Sequence, residues 1–145
     1  MKNGIQDALT VVGIVSLIAF SGSSIAKDED RKRIECEKRG AYDTSMDARF
    51  EARDDRKKFD VSFEAAPGGK FYYGQVLNVY VDYERVGSMT LRYEGYDLEG
   101  DLEFDSHVDS QYDDSVPFPK NFPSVGYGTH VTIGSYEDGY LSCTL

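Results

Sequence analysis

From Phe59 onward the apolar positions fall on every second residue. Phe59, Val61, Phe63 and Ala65 alternate with Asp60, Ser62 and Glu64, which predicts a strand with one face in a core and the other in water. Leu77, Val79, Val81 and Tyr83 repeat the pattern after the turn signal Pro67-Gly68-Gly69. Met89, Leu91 and Tyr93 predict a third strand behind a turn at Val86-Gly87, and Leu98, Leu102 and Phe104 a fourth, with Gly100 as a bulge. Residues 105–124 hold three of the four prolines and predict a long loop. Two last strands, 127–133 and 140–144, flank the turn Glu137-Asp138-Gly139. Short strands punctuated by turns about every 8 to 12 residues, without βαβ spacing, predict a small antiparallel β-sandwich or barrel of about six strands.

The pattern ahead of Phe59 differs. Residues 27–58 are rich in Lys, Arg, Glu, Asp and Ala and contain no proline, a composition that favours helix. Ile34, Tyr42, Met46 and Phe50 are spaced by multiples of four and form one narrow apolar stripe on a charged rod. The expectation is a charged helix, laid over the β domain or standing as a stalk.

Ahead of that lies an uncharged run, Ala8 to Ala26, with Ser24 and Ala26 at the small-residue positions a signal peptidase accepts. It predicts a cleaved signal peptide or, at 19 residues, an uncleaved membrane anchor. The basic cluster from Lys27 onward disfavours export of the following chain if the segment stays in the membrane. Three regions follow: 1–26 for targeting or anchoring, 27–58 for the charged helix or stalk, and 59–145 for the β domain. The location expected is extracytoplasmic, whether periplasmic, secreted or anchored facing outward.

Charge separates the last two regions. Residues 27–58 are nearly balanced, whereas 59–145 carry four basic residues against 15 acidic ones, within a net charge of -10 for the whole chain. Such a domain repels phosphate backbones, so nucleic acid is not an expected partner. The two cysteines, Cys36 and Cys143, lack the close pairing of a zinc site. In an exported chain they are candidates for one long-range disulfide.

The run Asp97, Glu99, Asp101, Glu103, Asp105 places five carboxylates on one side of a strand. A solvated face is the plain reading. A docking patch for a basic protein is the functional one, with calcium as a less favoured ligand, because the order of residues is not that of an EF-hand loop. The long loop adds Asp109, Tyr112, Asp113 and Asp114 to the candidate surface and offers Phe118 and Phe122 as core anchors. Ten of the eleven tyrosines follow residue 58, and tyrosine supplies contact area with a polar tip at low entropic cost. Ser106, His107 and Asp109 are too close in sequence to predict the convergent geometry of a hydrolytic triad. Gly126-Tyr127-Gly128 precedes no helix, so it predicts a turn and not a phosphate loop.

These features favour a non-enzymatic protein of the cell envelope, or of a particle assembled there, that binds another protein without a metal or organic cofactor. A narrower version is an immunity or exclusion factor acting on a basic toxin or incoming agent. The order apolar segment, polar helix, β domain with a late cysteine resembles the layout of type IV pilins, which implies an assembling subunit. The pilin leader pattern is absent, since Ile5 and Leu9 follow Gly4 where Phe or Met and then Glu are required. A small cell-wall hydrolase using carboxylates among Glu94, Asp97, Glu99 and Asp101 is the enzymatic alternative, and it requires a cleft.

Overall fold

The computed structural model describes residues 31–108, 114–134 and 139–145, and within them the chain is mainly β. The segment 8–26 lies outside the described residues, as do Asp109, Tyr112 and Asp113. Ten strands are present among the described residues: β1 Arg31–Arg39, β2 Ser45–Arg53, β3 Arg56–Ala65, β4 Val76–Val81, β5 Glu84–Thr90, β6 Arg92–Glu94, β7 Asp97–Asp105, β8 Val116–Pro117, β9 His130–Gly134 and β10 Gly139–Thr144. They form two sheets in a sandwich-like arrangement. One runs β1-β2-β3-β7-β6 with the two-residue β8 beside β7, and the other runs β10-β9-β4-β5.

The largest departure from expectation is at 31–58, where strands replace the charged helix and the proposed domain boundary at 58/59 falls inside β3. A spacing of four is helical, but it is also even, so Met46 and Phe50 equally share one face of a strand. Ala48, between them, is buried as well. The charged residues that suggested a helix face outward and pair across strands, with Arg31 on Glu51 at 3.1 Å and Arg49 near Glu35 at 3.5 Å. Tyr42 and Asp43 lie in the left-handed region, at φ 61° and 51°, and turn the chain between β1 and β2. With these residues in the sheet, the helix on which the likeness to pilins rested is missing from 31–58.

Register explains the core. Ile34, Phe50, Phe59 and Phe104 lie in one row across β1, β2, β3 and β7, and Cys36, Ala48, Val61 and Leu102 lie in the next. Leu77, Val79, Val81, Met89, Val131, Ile133 and Leu141 face them from the second sheet. Two glycines let the sheets approach. A Cβ on Gly87 would stand 2.8 Å from Leu102 Cδ2, and one on Gly100 would stand 3.0 Å from Leu91 Cδ2. Gly100 therefore accommodates a close contact. The β3–β7 register runs through it without a bulge. Other local expectations shift as well. The turn near Val86-Gly87 sits at Asp82-Tyr83, both with positive φ, and Tyr83 is exposed. The strand expected from residue 127 starts at His130, after a turn in which Gly126 N–H donates to Thr129 Oγ1.

The two edges of the sandwich are closed differently. On one side β5 passes into β6 through the fully buried Leu91, so one continuous stretch crosses from sheet to sheet. On the other, edge strands β1 and β10 lie side by side and are joined by the Cys36–Cys143 disulfide. Phe118 and Phe122 anchor the long loop as expected, with Phe122 edge-on to Phe59 at 5.3 Å and to Phe104 at 5.2 Å.

Candidate binding face

The outward face of the larger sheet is a lattice of charges, and the register defines its rows. Arg33, Glu51, Lys58 and Asp105 form one row, and Glu35, Arg49, Asp60 and Glu103 the next. Signs alternate in the first row and in the second until Asp60 meets Glu103, and Lys58 bridges the two rows, its Nζ 2.9 Å from Glu103 and 3.2 Å from Asp105. Further along, the balance is lost. Glu37, Asp47, Ser62 and Asp101 share a row, then Arg39, Ser45, Glu64, Glu99 and Arg92, and finally Asp97 opposite Glu94.

Serines at 45 and 62 make a low floor among long acidic side chains. The result is a hollow of about 280 Å³ between Glu37, Asp47, Glu64, Glu99 and Asp101, with Lys38 and Arg39 also on its wall. A second hollow of about 490 Å³ adjoins it, lined by Asp47, Glu51, Asp60, Asp101 and Glu103 together with Arg49 and Lys58. Both are open depressions on a sheet face.

Burial first, and neighbouring carboxylates second, raise three acids on this face. Burial raises the Asp60 carboxyl to about 6, and Glu103 adds to the rise against the opposing pull of Lys58 and Arg49. Asp101 is raised by burial and by Glu94 and Glu103. Glu99 is raised by burial, then by Glu94, Glu64 and Asp101. A carboxylate raised in the fold binds its proton more tightly folded than unfolded, so Asp60 favours folding below pH 4 and loses that contribution as pH rises through about 6. Asp60→Asn should therefore stabilise the domain by about 1 kcal/mol at pH 7.5, and the gain should vanish near pH 4. Urea unfolding at the two pH values measures this.

Of the carboxylates expected on this face, Asp97, Glu99, Asp101 and Glu103 belong to it. Asp105 does not act as a surface group. It is fully buried, accepts hydrogen bonds from Arg56 Nη2 at 2.6 Å and from the His107 backbone N–H at 2.9 Å, and is held well below the usual carboxylate range, chiefly by Arg56. At the end of β7, β8 pairs alongside Phe104 and Asp105, and Phe118 packs on Phe104. Asp114 is exposed just before β8. The face also gathers Glu37, Asp47, Asp60, Glu64 and Glu94. The polar phase of β3 already gave Asp60 and Glu64, but Glu37 and Asp47 were concealed by the helical reading.

Glu94, Asp97, Glu99 and Asp101 stand side by side on this open face, on two paired strands. Ser106 Oγ lies 3.1 Å from His107 Nδ1, and His107 Nε2 lies 3.4 Å from Asp55, but all three are at the exposed rim of the β2–β3 turn. Among the described residues no three His, Cys, Asp or Glu side chains converge to hold a metal ion, and no helix is long and apolar enough to cross a membrane.

Fold and face together define a disulfide-closed, two-sheet β domain with one heavily acidic sheet face. Comparison with family models, curated proteins and solved structures finds no match.

Proposed function

We propose that this is an exported, non-enzymatic binding protein whose acidic sheet face takes up a basic segment of another protein. The observation that carries the reading is the open hollow in which five carboxylates, Glu37, Asp47, Glu64, Glu99 and Asp101, outnumber the two cations Lys38 and Arg39 around Ser45 and Ser62. Carboxylates on neighbouring strands repel unless a cation lies between them, and several here keep a raised affinity for protons. Lysine or arginine side chains entering the hollow relieve that repulsion and lose little solvation, because the site is open. Export is supported by the disulfide, which persists outside reducing compartments, and by the uncharged run 8–26.

The test uses the domain as bait on native envelope extract, beside a Glu64→Gln/Glu99→Gln/Asp101→Asn variant. The wild type should retain a basic polypeptide that elutes as salt is raised, and the triple variant should lose it at least tenfold while unfolding no more easily. Retention of nothing basic, or of a partner indifferent to the three changes, contradicts the reading.

A further inference from the structure

The acidic hollow does not end at its own walls. It shares Asp47, Ser62 and Asp101 with the second hollow, and Arg39, Ser45 and Glu64 with a third of about 410 Å³ that reaches Asp43, Ala66 and Asp97. Along the chain of β3 the three follow one another, from Lys58 to Ser62, from Ser62 to Glu64 and from Glu64 to Ala66. Together they make one open trough parallel to the strands, about 26 Å long.

Register gives the trough a repeat. Across β3 and β7, Asp60 faces Glu103, Ser62 faces Asp101 and Glu64 faces Glu99, and Asp97 follows on β7. A carboxylate therefore recurs at every second residue of β7, at intervals of about 6.8 Å. The cations stand at the margins. Lys58 bonds to Glu103 at one end, Arg49 lies 3.5 Å from Glu35 on β1, Lys38 and Arg39 close β1 at the other end, and Arg92 sits across from Glu99 on β6.

Register also sets the width. Asp47 and Asp101 flank Ser62 from the strands on either side, which puts their backbones two strand spacings apart, about 9.6 Å. An α-helix, about 10 to 12 Å across with its side chains, would ride on those rims. A single extended chain can reach the serine floor, and its side chains on one face recur about every 6.8 Å, the interval of the carboxylates.

We propose that the trough takes the basic segment as an extended chain lying along β3 and β7, with lysine or arginine at every second position to meet Glu103, Asp101, Glu99 and Asp97 in turn. The inference rests on the binding function proposed above and adds the conformation and spacing of its ligand.

Two end-blocked heptapeptides of identical composition and charge, Lys-Ser-Lys-Ser-Lys-Ser-Lys and Lys-Lys-Lys-Lys-Ser-Ser-Ser, separate spacing from charge when titrated into the full chain. Wild type should bind the alternating peptide about fivefold more tightly, the worth of one or two exposed ion pairs. Glu64→Gln/Glu99→Gln, which removes one row of carboxylates, should erase the preference. Ser62→Gln, which raises the floor and keeps every carboxylate, should erase it as well. Equal binding of the two peptides by wild type, tighter binding of the block, or a preference that survives either substitution overturns the extended, alternating ligand and leaves the acidic face standing. Failure of both peptides to bind removes the binding function too.

Discussion

Breaking the Cys36–Cys143 bond should lower the unfolding free energy by about 4 to 5 kcal/mol, as expected for a crosslink spanning 107 residues of sequence. The bond encloses nearly all of the described fold, so its loss frees the whole unfolded chain. In the folded state it is also the covalent tie on the side where β1 and β10 meet, opposite the continuous β5–β6 crossing. A domain of this size has a total stability of the same order. The Cys36→Ala/Cys143→Ala variant should therefore be largely unfolded at 37 °C. Urea unfolding with and without reductant measures the effect, and a loss below about 1 kcal/mol would show that the strands hold this side without help.

Asp105→Ala should cost on the order of 3 kcal/mol at pH 7. The substitution leaves Arg56, Lys58 and the His107 N–H without the carboxylate they share. The figure sits at the lower end for a broken buried pair because the Arg56 side chain is 45% exposed and can hydrate. The pH dependence runs opposite to that of Asp60. Asp105 is depressed in the fold, so its contribution is complete above the ordinary carboxylate range and is lost as the medium becomes acidic. The difference between wild type and variant should shrink between pH 5 and pH 2. A constant difference would mean that the cost comes from packing.

Strands β3, β4, β7 and β10 were legible in the sequence because apolar residues recur at every second position on their core faces, which fixes a period of two. The same rule held in β1 and β2, but there the outward residues are good helix formers and the inward ones include Ala48 and Cys36, which carry little hydrophobic signal. Even spacings of four then satisfied either period. Cross-strand pairing decided the matter, and such pairing is a long-range fact. For the same reason the run in β7 could be seen as acidic, whereas the hollow could not, since it needs the register that sets Ser62 between Asp47 and Asp101. Asp105 shows the limit of alternation: its position on the strand follows the pattern, while it is buried against Arg56, Lys58 and the His107 N–H, partners that only the fold brings to it. The stacking of Tyr73 on Tyr93 joins loop to edge strand across 20 residues and left no sequence signal beyond an abundance of tyrosine.

The acidic face is the centre of the account, and backbone amide shifts of the 15N-labelled chain titrated with nona-arginine test it most directly. The largest changes should fall on residues 97–103 of β7, 60–64 of β3 and 45–47 of β2, and should fade as salt is raised. Changes concentrated on β9 and β10, in the other sheet, would contradict it.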